Sequence, residues 1–259
     1  MLKRPLALAV LLAVWVPAIA RAQAPVLAKI LEDVRSAYNR QERPMVIFDL
    51  EGTLMDNRSR HLQIIKEYGE QELKSVRPEA AQKLAVLTLP MVSYMLTDTL
   101  AAAGVNEPAV VNNAAVFWSQ RFFTDEYLKY DQPTPGAVGY VRTLYSNGAR
   151  IVYLTGRDAP RQLLGTAKQL RDNGFPIGIQ GTELIMKPTA QTQDAIFKQQ
   201  VTAYLRHFGK VVATFDNEPA NANVYRRAFA DAAVVVYASS HTPNPPPLLP
   251  GITPLAAFE

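Results

Sequence analysis

The chain has no cysteine, only three histidines and no run of basic residues. The first absence excludes disulfides, thiolate metal sites and a lipid-modified cysteine anchor, and it leaves the compartment unread from cysteine usage. The second leaves little for a nucleophilic triad. His61, His207 and His241 are scattered, no serine or cysteine partner suggests itself, and each reads as a surface or structural residue. The third absence argues against nucleic acid. The formal net charge is +4, but Lys3, Arg4 and Arg21 supply three of the 27 basic residues, and no acid precedes Gln23. Past Ala22 the chain carries 24 basic against 23 acidic residues, too even a balance for an electrostatic footprint on a polyanion. Internal repeats are also missing, and so is an uninterrupted apolar run of the ~20 residues that a membrane span requires.

What is present begins with a distinctive amino terminus. Lys3 and Arg4 make a basic start, Leu6 to Val16 form a short apolar stretch that Pro17 interrupts, and Ala20-Arg21-Ala22 gives a small-x-small pattern. That is the composition of a cleaved secretory leader over residues 1–22, and it predicts a periplasmic or secreted product with no stable membrane span after cleavage. The 259 residues, 48% of them hydrophobic, suffice for one large α/β domain or a core with a smaller insertion.

The organising stretch is Met45-Val-Ile-Phe-Asp-Leu-Glu-Gly-Thr-Leu-Met-Asp-Asn57. Met45 to Phe48 read as a strand buried on both faces, which stops abruptly at Asp49. A carboxylate at the carboxyl end of a buried parallel strand faces the crevice where open α/β sheets bind ligands. Glu51 follows two residues on, and Gly52 allows the tight backbone that turns the loop back over that crevice. Two carboxylates so spaced could hold a cation, or could divide nucleophile and acid/base roles.

Before this strand, residues 25–43 show helical spacing in Val26, Ile30, Leu31, Val34 and Tyr38. After it, residues 58–130 read as helices without a strand, broken near Pro78 and Pro90, with Val116, Phe117, Trp118, Phe122, Phe123 and Tyr127 as packing bulk. Thr134 and Pro135 read as the cap and first turn of the next helix. Strands are then expected at Arg150–Leu154, Pro176–Ile179, Val211–Phe215 and Ala233–Tyr237, with a helix from Thr189 to about Phe208 and an extended tail over the core. Strand–helix alternation of this kind predicts a Rossmann-type parallel sheet with helices on both faces. The division is a core of residues 23–57 and 131–259 with an all-helical cap insertion of residues 58–130.

Three strand ends carry polar clusters: Asp49/Glu51, Thr155-Gly156-Arg157 and Asp216-Asn217-Glu218. Lys187, ahead of Pro188, can bring a positive charge to the same edge of the sheet. In this order the four segments resemble the motifs of the haloacid dehalogenase superfamily, most of whose members are phosphatases. Phe48-Asp49-Leu50-Glu51-Gly52-Thr53 is similar to the family's D-x-D-x-T motif, Leu154-Thr155-Gly156-Arg157 to its second motif, Met186-Lys187-Pro188 to its lysine motif and Phe215-Asp216-Asn217-Glu218 to its acidic fourth motif. The insertion falls where the family carries a helical cap, and the chain looks most like an exported acid-phosphatase-like branch.

The resemblance implies a magnesium-dependent phosphomonoester hydrolase acting on a small-molecule phosphate ester through an aspartyl-phosphate. Asp49 would be the nucleophile and Glu51 the acid/base. Thr155, Gly156 and Lys187 would bind phosphate. Magnesium would be held by Asp49, Asp216, the backbone carbonyl of Glu51 and a second group among Asn217, Glu218 and Asn221. Glutamate at 51, where aspartate is usual, matches the D-x-E-G-T form of the enolase-phosphatases. The alternative implied by that departure and by Asn217 is a catalytically inactive protein that kept the fold for binding. Substrate identity and oligomeric state are open at this stage.

Overall fold

The computed structural model describes residues 25–259. The leader reading of residues 1–22 lies outside them. Helix α1 (Pro25–Asn39) buries Leu27, Ile30, Val34 and Ala37, three and four residues apart. This face is rotated from the expected one, so Tyr38 is exposed. Strand β1 (Pro44–Phe48) is buried at every position. Next comes the two-residue strand β2 (Met55–Asp56), which pairs antiparallel with β3 (Gln132–Pro133). Between them run α2 (Arg58–Tyr68), a π-helical turn at Gly69–Leu73, α3 (Pro78–Ala85), α4 (Leu96–Ala102) and α5 (Pro108–Phe122). The insertion is therefore helical as expected but is closed at its base by a small sheet that was not expected. Its own apolar cluster includes Ile64, Leu84, Leu100, Phe117 and Phe122. Pro90 lies in a 3-10 turn past the end of α3, not inside a bent helix.

The core resumes with α6 (Ala137–Ser146), β4 (Arg150–Asp158), α7 (Ala159–Asp172), β5 (Thr182–Lys187), α8 (Asp194–Leu205), β6 (Lys210–Asp216), α9 (Pro219–Ala228), β7 (Ala233–Tyr237) and β8 (Ile252–Leu255). The six-stranded sheet has the order β5-β4-β1-β6-β7-β8 and is parallel throughout. One apolar cluster covers one face with α1, α6 and Leu170 of α7; the other packs Phe197, Val201, Leu205, Ala222 and Tyr225 of α8 and α9 on the opposite face. Near-continuous apolar strands are what burial on both faces requires.

Several local expectations shift. The strand expected at Pro176–Ile179 is instead β5, because Gly178 and Gly181, both at positive φ, turn the chain between them. The tail does not merely lie on the core: β8 adds an edge strand beside β7. Thr134 does not cap α6, which starts behind Gly136; its hydroxyl donates to the Thr53 carbonyl instead, at 2.8 Å.

Candidate active site

Central β1 ends between β4 and β6, and this juxtaposition builds the site. Phe48 is in register with Phe215, and the Asp49 amide donates to the Phe215 carbonyl at 2.9 Å, so Asp49 and Asp216 leave neighbouring strands side by side. Both are buried. Between them sits the ammonium of Lys198, which donates to Asp49 Oδ1 at 2.7 Å and to Asp216 Oδ2 at 2.6 Å. Asp216 Oδ1 accepts the Glu218 amide and the Asn221 side-chain amide. Asp49 Oδ2 has only the Thr53 hydroxyl, at 3.4 Å. Burial pushes the Asp49 carboxyl up to about 8; Lys198 opposes that rise and Asp216 adds to it. Burial works against the charge of Lys198 as well, yet the two carboxylates hold its pKa well above the usual lysine value.

Lys198 corrects the expectation for Lys187. Lys187 ends the edge strand β5, two strands from β1, and donates to Asp194 at 2.7 Å. The lysine that reaches Asp49 comes from helix α8, one turn after Asp194. A sequence signal for it existed: Lys198 falls on the apolar face that Phe197, Val201 and Leu205 define, where a charged residue needs a buried partner.

Thr155 ends the regular part of β4, on the other side of β1. Pairing with β5 jumps from Thr155–Met186 to Asp158–Lys187, so Gly156 and Arg157 bulge out of the ladder. The bulge turns Arg157 into the interior and brings Gly156 against the Asp194 carboxylate, which a side chain at 156 would overlap. Thr155 is fully buried, and its hydroxyl accepts the Arg157 amide at 3.2 Å.

Glu51 stands in a second charged cluster. Arg60 of α2 donates to Glu51 Oε1, to both oxygens of Asp131 and to the Phe122 carbonyl. Arg157 donates to Asp131 at 2.9 Å and to Thr166 and Gln169, with its Nε 3.5 Å from Glu51 Oε1. Burial alone would raise the Glu51 carboxyl, but Arg60 and then Arg157 hold it down to about 2. So placed, Glu51 is an ionised partner of two arginines and carries no proton to donate at neutral pH. Neighbouring His61 is also buried in the insertion, against Trp118 and Phe122, rather than on the surface; its Nδ1 accepts the Trp118 indole N–H at 3.2 Å. Burial and Arg60 lower its pKa to about 4.

Asn217 and Glu218 are committed elsewhere. The Asn217 amide donates to the Ser240 carbonyl at 2.7 Å, its oxygen faces the Thr53 hydroxyl at 3.4 Å, and Glu218 accepts the Thr242 amide at 3.0 and 3.1 Å. Among the described residues no three acid, histidine or cysteine side chains form a metal cluster. The donors that fit magnesium are the Asp49 and Asp216 carboxylates, which already converge on one cation and carry a negative charge in excess of it once Asp49 gives up its proton. They leave the remaining positions to neutral oxygens such as the Glu51 carbonyl, a sparse set of hard donors of the kind magnesium takes. The Asn217 and Glu51 side chains do not join that set.

No protein-family model matches the chain, and no curated protein does. Solved structures do. An HAD-superfamily hydrolase of subfamily IA from Geobacter sulfurreducens superposes with a TM-score of 0.50 at 15% identity, over 83% of this chain and 92% of that one. The fold is that of the haloacid dehalogenase superfamily. Protein Tyrosine Kinase A from Mycobacterium tuberculosis gives a TM-score of 0.53 at 17% identity over 83% and 94% of the two chains. A candidate phosphatase from Clostridium difficile gives 0.50 at 15% over 78% and 88%.

Proposed function

We propose that this chain is a phosphohydrolase that cleaves small phosphate monoesters, with Asp49 as nucleophile. The observation that carries the reading is the buried Asp49–Lys198–Asp216 cluster at the carboxyl edge of the sheet. A phosphate dianion repels a carboxylate, so attack needs fixed positive charge beside it, and Lys198 supplies one such charge. Lys198 holds Oδ1 and leaves Oδ2, with its single long contact, as the attacking oxygen once the carboxyl has lost its proton. Attack on phosphorus expels the alkoxide and gives an aspartyl-phosphate, which water then hydrolyses to phosphate and free Asp49. The Thr155 hydroxyl and the Gly156 amide are the neutral groups proposed to hold phosphoryl oxygens. Magnesium would be held by Asp49 and Asp216 and would supply further positive charge to the site.

Phosphate release from a panel of monoesters, with and without magnesium, tests this. The Asp49→Asn variant is expected to lose ~10⁴-fold or more, since loss of a nucleophile in a concerted site removes nearly all catalysis. Residual turnover near wild type would remove Asp49 from the role. The arginine pair on Glu51 favours a second reading, in which phosphate esters are bound but not cleaved, as in a binding protein, because a carboxyl held down to about 2 has no proton for the leaving alkoxide. Binding of inorganic phosphate, with no phosphoenzyme in acid-quenched mass spectrometry and no phosphate release from any monoester, supports the second. The amino-terminal composition supports placing the activity outside the cytoplasm; an intact Met1 on the exported protein would count against removal of residues 1–22.

A further inference from the structure

Helix α9 brings two side chains to Asp216, four residues apart and so on one face of the helix. Asn221 uses its amide, which donates to Asp216 Oδ1 at 3.1 Å. Tyr225 does not use its hydroxyl. The side chain is fully buried in the apolar cluster that packs α8 and α9 on the sheet. Its hydroxyl comes beside the Asp216 carboxylate but closes no hydrogen bond to it or to any other described group. The charges that act on this hydroxyl are Lys198, Asp216 and Asp49, the three members of the candidate site. A buried hydroxyl without a partner costs free energy, and phenylalanine would fill the same apolar space without that cost. The hydroxyl therefore points to a state of the site in which it is engaged.

The bonds of Asp216 indicate which state. Oδ1 accepts both the Glu218 amide and the Asn221 side chain, whereas Oδ2 accepts Lys198 alone. The ammonium is shared, since it also donates to Asp49 Oδ1 at 2.7 Å. An anion arriving beside Asp49 competes with Asp216 for that ammonium. Once the ammonium turns to the anion, Oδ2 is left buried without its donor, and the Tyr225 hydroxyl is already beside the carboxylate.

We propose that Tyr225 is a positioning residue for Lys198: its hydroxyl donates to Asp216 Oδ2 when the ammonium turns from Asp216 to an anion held beside Asp49. The hand-over lets Lys198 follow the anion without stranding a buried carboxylate oxygen. Only the identity of the anion as phosphate rests on the phosphatase reading; the hand-over is a property of the cluster itself. Thr214 supplies a control. It lies two residues before Asp216 and on the same face of β6, and its hydroxyl is also buried without a partner. The strand carries it roughly 6.5 Å back from Asp216, away from the cluster.

Two measurements decide it. The first is a double-mutant cycle on unfolding in urea, which needs no ligand. With Lys198 in place, Tyr225→Phe should leave the unfolding equilibrium within about threefold of wild type or shift it toward the folded state. In a Lys198→Met background, where Oδ2 has lost the ammonium, the same change should shift it about tenfold or more toward unfolding. A stabilising osmolyte keeps both backgrounds folded at the start of the titration. Thr214→Val should show no dependence on Lys198. Equal effects of Tyr225→Phe in the two backgrounds would overturn the hand-over, and a dependence as large in Thr214→Val would remove it from Tyr225. The second measurement keeps Lys198. Tyr225→Phe should bind inorganic phosphate about tenfold more weakly, and its kcat/KM for p-nitrophenyl phosphate should fall by a similar factor, although its stability is not reduced. Thr214→Val should match wild type in both. Unchanged phosphate affinity in Tyr225→Phe would overturn the proposal. If wild type neither binds phosphate nor hydrolyses any ester, the phosphatase reading has failed, and the cycle alone decides the hand-over.

Discussion

Two buried charge clusters lie on either side of the loop from Asp49 to Thr53, and they differ in their sums. Arg60, Arg157, Asp131 and Glu51 balance, two charges against two, and nearly every polar atom has a partner. Asp49, Lys198 and Asp216 balance only while Asp49 keeps a proton: burial raises its carboxyl to about 8, so at neutral pH one carboxylate and one carboxyl share the ammonium, and Asp49 Oδ2 is almost unengaged. A balanced buried cluster fixes geometry, because each member is held by an opposite charge with nowhere else to go. A cluster balanced by a proton is the place where an added cation can take that proton's place. The difference separates a lock from a reactive site using charge alone.

The largest effect should come from removing the one buried cation. Lys198→Met would leave the buried Asp216 carboxylate without its ammonium beside a protonated Asp49, and unfolding in urea at neutral pH should show a loss of ~3–5 kcal/mol, the range for stranding buried charge. A loss below about 1 kcal/mol would mean that the carboxylates find another partner and that Lys198 is dispensable.

The next effect is a pH slope. An acid whose pKa is raised in the folded state binds its proton more tightly there, so stability falls as pH rises between the two pKa values. For Asp49 the window runs from the ordinary value of 3.8 to about 8. Metal-free wild type should lose stability across it, and Asp49→Asn should flatten the slope. Glu51 has the opposite sign: its carboxyl is held down to about 2, so its contribution is lost as pH falls from 4.5. Parallel slopes in wild type and Asp49→Asn would show that Asp49 is not the strained acid.

The smallest effect sharpens the choice between lysines. Lys187 pairs with Asp194, whose side chain is half exposed. Lys187→Met should therefore cost no more than ~1 kcal/mol, the scale of a partly solvated pair. A loss as large as that of Lys198→Met would erase the distinction.

The legible and illegible parts of this chain divide along a physical line. Buried strands announce themselves through apolar runs that stop at a charge, which is why Asp49, Thr155 and Asp216 could be set on one edge from the sequence. The helical character of the insertion was equally plain. Lys198 was not, because a lysine inside a helix has no element boundary to mark it, whereas Lys187 stands beside Pro188. The pairing of Glu51 with Arg60 and Arg157 was also hidden, since it joins residues from an insertion helix and a strand bulge. Neither β8 nor the β2–β3 pair carries enough apolar alternation to stand out: β8 is four residues with Pro254 inside it, and the others are two residues each. The Ser240 carbonyl that takes the Asn217 amide lies more than twenty residues away, beside a segment rich in proline where no periodicity exists to read.

The β2–β3 pair has one more consequence. Because Asp56 sits opposite Gln132, the insertion leaves and re-enters the core at adjacent points. The core therefore sees it as a plug-in between neighbouring sockets, and a tight turn could close the chain if it were excised. Cut between Asp56 and Gln132, one residue past the expected bound of 130, the insertion takes Arg60 and Asp131 together as a neutral couple and leaves Glu51 and Arg157 as another. A graft of a different helical module at this junction thus inherits no stray charge, which makes the junction a natural point for recombining this scaffold with other lids.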